Sequence, residues 1–452
     1  MRKITYILIA LVIFIFSGIT LLLTTTGFKT NSFNSLINDK VNEVNPKLKL
    51  QLNDVNFKLG LKSFKFEVKT QNPKILINEN EIDLESINFN INIFDYFNNK
   101  NPISRISIES KENSIDQLSN FINEYNFNLS RKLILKQIKK GNIKFNAEIF
   151  FDENEPNNLR YLLNGSVRET KVNLLNQLTF DNIKFDFLIN KNFINLKNID
   201  LIFDNIFITS DEISISKINR EYEVTGNLKT KKTEININKY SAIINTNLDL
   251  LSDQSINLSS NNNLYFKINN KYKVEDFKIE TKINFDELLT KSKFQDFIYL
   301  KNGDVFINYD KKKLDIALDS KFLFKNIKYN NSDSNNLFKA IYKKKKNSNA
   351  VVDINLSNLK NKIDSKEIKK FISFKNFNLP DQEIIFGSEN KIKFNLNKNN
   401  KIKNLSVKSQ IKTDNILIDY ESKRVKKYLS NFKNQLKLSK SDLNINYSNN
   451  NF

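Results

Sequence analysis

From Lys47 onward the chain alternates apolar and polar residues with a period of two. Leu48, Leu50 and Leu52 alternate with Lys47, Lys49 and Gln51. The pattern returns at Phe64-Phe66-Val68, Ile87-Phe89-Ile91-Ile93, Ile143-Phe145, Ile183-Phe185-Phe187-Ile189 and Ile206-Ile208. It continues at Ile235-Ile237, Leu264-Phe266-Ile268, Leu314-Ile316-Leu318, Ile392-Phe394-Leu396 and Ile416-Ile418-Tyr420. Successive side chains of a strand point to opposite faces, so each run predicts a strand with one apolar face and one of Asn, Lys, Asp and Ser. Roughly thirty such short strands are expected.

Before Lys47 the pattern is helical. Ile4 to Leu23 carries no charge and as a helix would span about 30 Å, a bilayer's hydrocarbon core. Arg2 and Lys3 precede it, which predicts a single-pass inner-membrane anchor with its N-terminus in the cytoplasm and the body beyond the membrane. A cleaved signal peptide is the competing reading, but the stretch is longer than a signal's apolar core and no A-x-A site follows. Asn31 to Val44 predicts a connecting amphipathic helix, with Phe33, Leu36, Ile37, Val41 and Val44 on one face and Pro46 stopping it. Ile115, Leu118, Ile122 and Tyr125 predict another, continued over Arg131 to Lys140. Shorter helices are expected at 286–297, 336–342 and 365–374.

Turns fall to Asn, as at Asn98-Asn99, Asn157-Asn158 and Asn269-Asn270, because Asn tolerates the left-handed conformation that turns need. No repeat of fixed length stands out, and no Pro-, Gly- or Ser-rich linker divides the chain.

Composition then removes chemistry. The chain has no Cys, His or Trp and one Met, so a Ser-His-Asp triad, a Cys nucleophile and the usual zinc site are excluded. The acidic pairs Asp152/Glu153, Asp211/Glu212, Glu275/Asp276 and Asp286/Glu287 are sequence neighbours, expected mostly near turns with side chains splayed apart as solvated charge. No phosphate-binding loop or EF-hand loop is present. The net charge of +21 is spread along the chain rather than gathered into a patch. Phe185 and Phe187 follow Lys184, and Phe322 and Phe324 lie between Lys321 and Lys325; alternation puts the rings and the ammonium groups on opposite faces, against a nucleic-acid platform. No catalytic residue, cofactor or metal site is predicted, and nucleic acid is not expected as a partner.

So few helices cannot cover so many strands. The apolar faces are expected to pack sheet on sheet, or to line a groove filled by an apolar ligand. The groove reading puts Phe185, Phe187, Ile189, Phe266, Ile268, Ile316, Leu318, Phe394 and Leu396 on its wall.

The order of anchor, SLINDKVNEVNPKLKLQLNDV helix and strand, FKFEV strand, L-x-x-I-x-F-x-I-x-I strand from Leu84, ISRISIES and the helix IDQLSNFINEY resembles the AsmA-like family, most closely its YhdP/TamB-type branch. The resemblance covers roughly the N-terminal half, and only the strand style persists beyond residue 230. It implies an inner-membrane anchor in a Gram-negative cell, a long periplasmic β-groove and a part in moving inner-membrane phospholipid toward the outer membrane, with outer-membrane or periplasmic proteins as partners. It carries no compact active site. The Asn-rich end, SDLNINYSNNNF, lacks the family's terminal helix and apolar tip, which leaves the far end to another chain or marks an incomplete product.

The expected architecture is therefore mainly β: a transmembrane helix followed by an elongated, curled, mostly antiparallel sheet forming an apolar groove, with a few short helices. Its segments are 1–28 (cytoplasmic tip and anchor), 29–46 (connecting helix), 47–140 (N-terminal β region with helical insertion) and 141–452 (β-groove body). Passive lipid transfer is the expected function. An assembly factor for outer-membrane β-barrel proteins, and a structural or adhesive β-sandwich, are the alternatives.

Overall fold

A computed structural model describes residues 2–32, 34–44, 46–60, 65–77, 80–98, 103–124, 137–151, 160–174, 178–219, 221–236, 255–271, 273–290, 298–324, 336–369, 377–399 and 401–451. The protein is mainly β, its described ladders are antiparallel, and it divides into two compact units, Met1–Gly226 and Asn227–Phe452.

Unit 1 begins with helices α1 (Arg2–Thr25) and α2 (Asn34–Val44), with β1 (Phe28–Thr30) between them. The strands β2 (Leu48–Gln51), β3 (Val55–Gly60), β4 (Lys65–Gln71), β5 (Lys74–Ile77) and β6 (Asn80–Asn92) follow. Then come α3 (Ile93–Phe97), β7 (Ile103–Ser110), β8 (Asn113–Ser114) and α4 (Ile115–Glu124). The unit ends with β9 (Ile138–Phe150), β10 (Arg160–Leu174), β11 (Leu178–Asn190), β12 (Phe193–Phe203), β13 (Ile206–Ile218) and the start of β14 (Glu221–Asn236). Neighbours run β1-β3-β4-β6-β7-β9-β10-β11-β12-β13, with β5 and β2 branching from β6. The core gathers under α4. Ile82, Leu84 and Ile87 pack with Leu118, and Ile115 packs with Val167 and Phe187.

Unit 2 holds the rest of β14, then β15 (Ser255–Ile268), β16 (Val274–Thr290), β17 (Ile298–Asp310), β18 (Lys313–Phe324), β19 (Asn336–Lys345) and β20 (Ala350–Asp364). After α5 (Ser365–Lys369) come β21 (Phe377–Asn378), β22 (Glu383–Leu396), β23 (Ile402–Tyr420), α6 (Lys423–Tyr428) and β24 (Gln435–Asn451). From β15 to β20 each strand pairs with the next, and β20 goes on to β22, β23 and β24.

Several expectations are corrected. The uncharged N-terminal stretch is helical, but among the described residues no helix is long and apolar enough to cross a membrane. The helix α1 runs Arg2–Thr25. Its end is polar: Thr24 and Thr25 donate their hydroxyls to Leu21 O at 3.0 and 2.7 Å. The transmembrane anchor, and the inner-membrane and periplasmic placement drawn from it, fall with that finding. Residues 336–342 and 286–290 are strand, not helix, because their ladders to β20 and β17 outweigh a local helical spacing. Ile138 to Lys140 opens β9, while 131–136, 291–297 and 370–374 lie outside the described residues. Ile93 starts α3 rather than ending a strand. Among the described residues the strands are also fewer and longer than the sequence runs, since neighbouring runs fuse through bulges.

These bulges keep the apolar face continuous. An extra residue shifts a strand's alternation by one place. In β11 the phase changes between Phe180 and Ile183, around Asn182 at φ 50. In β12 it changes between Leu196 and Ile199, around Asn198 at φ 53, and in β17 between Leu300 and Gly303, around Asn302 at φ 49. Asn, expected in turns, thus also bends strands from within. A glycine follows Asn302 because Phe285, its cross-strand partner, lays its ring over Gly303; Phe187 covers Gly165 in the same way.

Unit 2 also repeats itself. β14, β15 and β16 recur as β20, β22 and β23 at one fixed offset, which matches Leu228 with Leu356, Ser260 with Ser388, Asn262 with Asn390, Phe266 with Phe394, Asn269 with Asn397 and Thr281 with Ser409. The bonds recur with the residues. Asn262 Nδ2 donates to Ser260 Oγ (2.9 Å) and Leu228 O (3.0 Å), and its Oδ1 accepts from Thr281 Oγ1 (2.9 Å). Asn390 Nδ2 donates to Ser388 Oγ (3.1 Å) and Leu356 O (3.4 Å), and its Oδ1 accepts from Ser409 Oγ (2.5 Å). In the turns, Asn269 Oδ1 accepts the N–H groups of Lys271 and Lys273, and Asn397 Oδ1 those of Asn399 and Lys401. The insertion of α6 lengthens the offset for the last strand. There Leu300, Asn302, Val305, Ile307 and Tyr309 of β17 match Leu438, Lys440, Leu443, Ile445 and Tyr447 of β24, and Asn302 and Lys440 share φ 49 and 50. A fixed-length repeat therefore exists where the sequence showed none. It is kept by bonding residues, while any apolar residue serves the positions between.

A β-branched residue cannot take up the bulge conformation cheaply. Asn302→Val is expected to lose about 1–2 kcal/mol in chemical denaturation, whereas Asn302→Gly stays near wild type. Equal stability of all three proteins would show that the bulge does not depend on residue 302.

Candidate functional site

The nine residues predicted for a groove fall in both units. Phe185, Phe187 and Ile189 lie on β11 in unit 1, and the other six lie in unit 2. The three in unit 1 belong to a packed cluster. Phe187 is 7% exposed, and Phe185 and Ile189 pack with it among Val167, Leu163, Leu196 and Ile115 of α4.

In unit 2 the register puts all six on one face. Directly opposed residues of an antiparallel pair share a face. Ile316 opposes Ile307 and Tyr342, Tyr342 opposes Val352, and Val352 opposes Phe394. Ile307 and Tyr309 share a side of β17, Tyr309 opposes Ile279, and Phe277, on the same side of β16 as Ile279, opposes Phe266. Ile268, Leu318 and Leu396 follow by alternation. The sequence reading missed Phe277, Ile307, Tyr309, Tyr342 and Val352 on this face. Their own alternation was a signal, but only pairing could place them beside the other six.

This face has two parts. At one end Ile256, Phe285, Leu300 and Phe322 form a buried cluster with Leu258, Leu288, Val305 and Leu318 around it. Toward the β15–β16 and β22–β23 turns, Phe266, Ile268, Ile316, Phe394 and Leu396 are only half-buried, and Tyr309, its ring centroid 5.0 Å from that of Phe277, is 43% exposed. The helices described in unit 2, α5 and α6, have five and six residues. The Asn262 and Asn390 rungs cross the face, and their amides are satisfied within it, so the apolar surface is banded rather than uniform.

In each unit, taken by itself, the opposite face carries charged side chains that are largely paired with one another. Lys184 pairs with Asp200 at 2.7 Å, away from the Phe185 and Phe187 side. A shallow concavity of ≈ 470 Å³ on that side of unit 2 is lined by Asn261, Glu280, Lys282, Phe306, Asp315 and Ile341 among others. There an ammonium group and a ring do share a face, with Lys282 Nζ 5.3 Å from the Phe306 centroid. Asp286 and Glu287 line one concavity on the polar side rather than splaying apart, and each has a lysine of its own. Asp286 pairs with Lys232 (2.6 Å) and Glu287 with Lys301 (3.3 Å). Asp211 and Glu212 sit within β13, not at a turn, and Asn195 and then Ser214 donate to Glu212 and hold its carboxyl below the usual range. Asp152 and Glu153 lie outside the described residues. Compared with family models, curated proteins and solved structures, the chain finds no match.

One carboxylate in unit 1 ties two bulges together. Asp186 accepts from Asn198 Nδ2 (2.9 Å), itself a bulge residue, and from Arg168 Nη2 (2.6 Å), beside Glu169 at φ 51. Arg168 Nη1 also donates to Val167 O and Phe185 O, both at 2.8 Å. The bond from Asn198, and then that from Arg168, hold the Asp186 pKa below its ordinary value. Its stabilisation is therefore present above the unfolded value of about 3.9 and lost as pH falls through the folded one. Asp186→Asn should cost less than about 1 kcal/mol at neutral pH, since the pair is partly exposed, and the gap should close in acid. Urea midpoints of both proteins at neutral and low pH measure this; a gap that is the same at both would refute the latch.

Proposed function

We propose that the apolar face of unit 2 binds lipid acyl chains and that the protein works as a passive lipid carrier, without catalysis. The observation that carries the reading is the half-buried row around Phe266, Ile316 and Phe394: an apolar surface shared by several strands and only partly shielded. In a closed sandwich those residues would be as buried as Phe285 is, in a face-to-face core with no space between the layers. Each methylene taken from water contributes about 0.8 kcal/mol, so a chain needs no specific site to be held there, and a polar headgroup can remain in water at the rim. The satisfied Asn262 and Asn390 rungs then fix strand register without offering an open bonding position. The AsmA-like resemblance implies the same ligand class, and this reading makes no use of a membrane anchor.

Phe266→Asp and Leu396→Asp separate the two architectures. In an open trough a carboxylate at these positions stays hydrated, so both variants should fold, with circular dichroism like wild type, and lose most of the lipid that copurifies, read by mass spectrometry. Buried in a packed core, the same unpaired carboxylates would unfold the protein. Asp211→Asn with Glu212→Gln should leave lipid content unchanged. Unfolding of both aspartate variants, together with a lipid-free wild-type protein, would sink the proposal.

A further inference from the structure

The ladder of unit 2 gathers charge that is scattered along the sequence. The strands from β15 to β20, then β22 and β23, are successive antiparallel neighbours. Alternate connections therefore fall at one end of the sheet. The β15–β16, β17–β18, β19–β20 and β22–β23 hairpins share that end, and α6, between β23 and β24, lies at the other. Two of these hairpins touch, the Lys346 N–H donating to Lys312 O at 2.7 Å.

Over residues 269–276, 310–315, 343–352 and 397–403, at these hairpin ends, the sequence holds twelve lysines against four carboxylates. The surplus is not neutralised within the fold. Lys313 reaches Asp315 at 3.3 Å, while Asp310 accepts from the backbone N–H groups of Lys312 and Lys313. Lys344, Lys345, Lys346, Lys398 and Lys401 are exposed and have no ion pair among the described residues. Lys345 even stands directly opposite Lys313, and like charges so placed destabilise a ladder.

Apolar side chains stand among these lysines. Val274 opposes Ile268, and Ile402 opposes Leu396. Both thus carry the half-buried row on to the hairpin end, where they are 55 and 40% exposed. Lys344, opposite Leu314, borders the same face. Ammonium groups on flexible apolar stems beside exposed aliphatic side chains suit the boundary between headgroups and acyl chains.

We propose that this end of unit 2 docks on the surface of an anionic phospholipid bilayer. The lysines meet headgroup phosphates, Val274 and Ile402 reach the acyl boundary, and the half-buried row opens onto the lipid. The contact is with the surface and needs no spanning segment. The choice of a membrane over nucleic acid rests on the reading of that row as an acyl surface, because a polyanion in water would leave Val274 and Ile402 uncovered.

Flotation of the full chain with vesicles tests this. Wild type should float with phosphatidylcholine vesicles that contain phosphatidylglycerol and stay behind with phosphatidylcholine alone, and salt should weaken the binding. A lysine near an anionic surface is worth about fivefold in affinity, so Lys344→Gln with Lys346→Gln should bind such vesicles roughly 25-fold less tightly. Both side chains are exposed, so this variant should match wild type in circular dichroism. Lys426→Gln with Lys427→Gln removes the same charge from α6 at the other end and should bind like wild type. Equal binding to both kinds of vesicle, an equal loss in the α6 variant, or tighter binding to a single-stranded oligonucleotide than to the anionic vesicles would overturn the proposal. Lipid copurifying with a protein indifferent to anionic vesicles would overturn it and leave the carrier reading intact. Anionic-vesicle binding by a lipid-free protein would do the reverse.

Discussion

The two-residue period of the strand is the constraint from which the rest of this structure follows. A strand as long as β23, at 19 residues, must present its apolar side chains to one face while it twists and bends with its neighbours. One added residue inverts the pattern. The chain adds such residues repeatedly and changes the phase of its apolar positions at the same places, so that Phe180 and Ile183, or Leu300 and Val305, serve one face from either side of a bulge. The left-handed backbone this requires is supplied mostly by Asn, which bears it at low cost.

Hydrogen bonds between strands then set what alternation cannot. An apolar ladder alone tolerates a slip of two residues, since every second position is interchangeable. The Asn262 rung does not, because its amide must reach Leu228 O on one side and the Thr281 hydroxyl on the other. The same rung at Asn390 makes register, not bulk, the conserved content of the duplication inside unit 2. Asp186, bonded to Asn198 and Arg168, has a comparable role in unit 1, where it couples bulges in the two strands that flank its own.

The two units differ in what covers their apolar faces. In unit 1, α4 lays Ile115 and Leu118 onto the sheet and closes a core around Phe187 and Leu84. In unit 2 the packed cluster around Phe285 gives way to a half-buried row, and the helices described there are too short to lie over it. One chemistry of strand thus yields a packed core in one place and an accessible apolar surface in another. A reading of function has to start from that difference.

The sequence by itself determined the β character, the face on which each apolar residue lies within its run, and the α2 and α4 helices. Those follow from local periodicity, 2 against 3.6, which any window of a dozen residues displays. It also suggested a membrane span from an uncharged stretch, helices at 286–297 and 336–342, and one groove wall from nine residues. Each of those depended on something not local. Whether a marginal helical spacing survives depends on the strands waiting to pair with it, and β17 and β20 took those two segments into the sheet. Whether Phe187 and Phe394 are alike depends on a helix more than sixty residues before the first in sequence. Ile115 packs against Phe187, and Phe394 opposes Val352 on a face left half-open. Tertiary pairing alone decided these, because alternation says which side of a strand a residue occupies and nothing about what stands opposite.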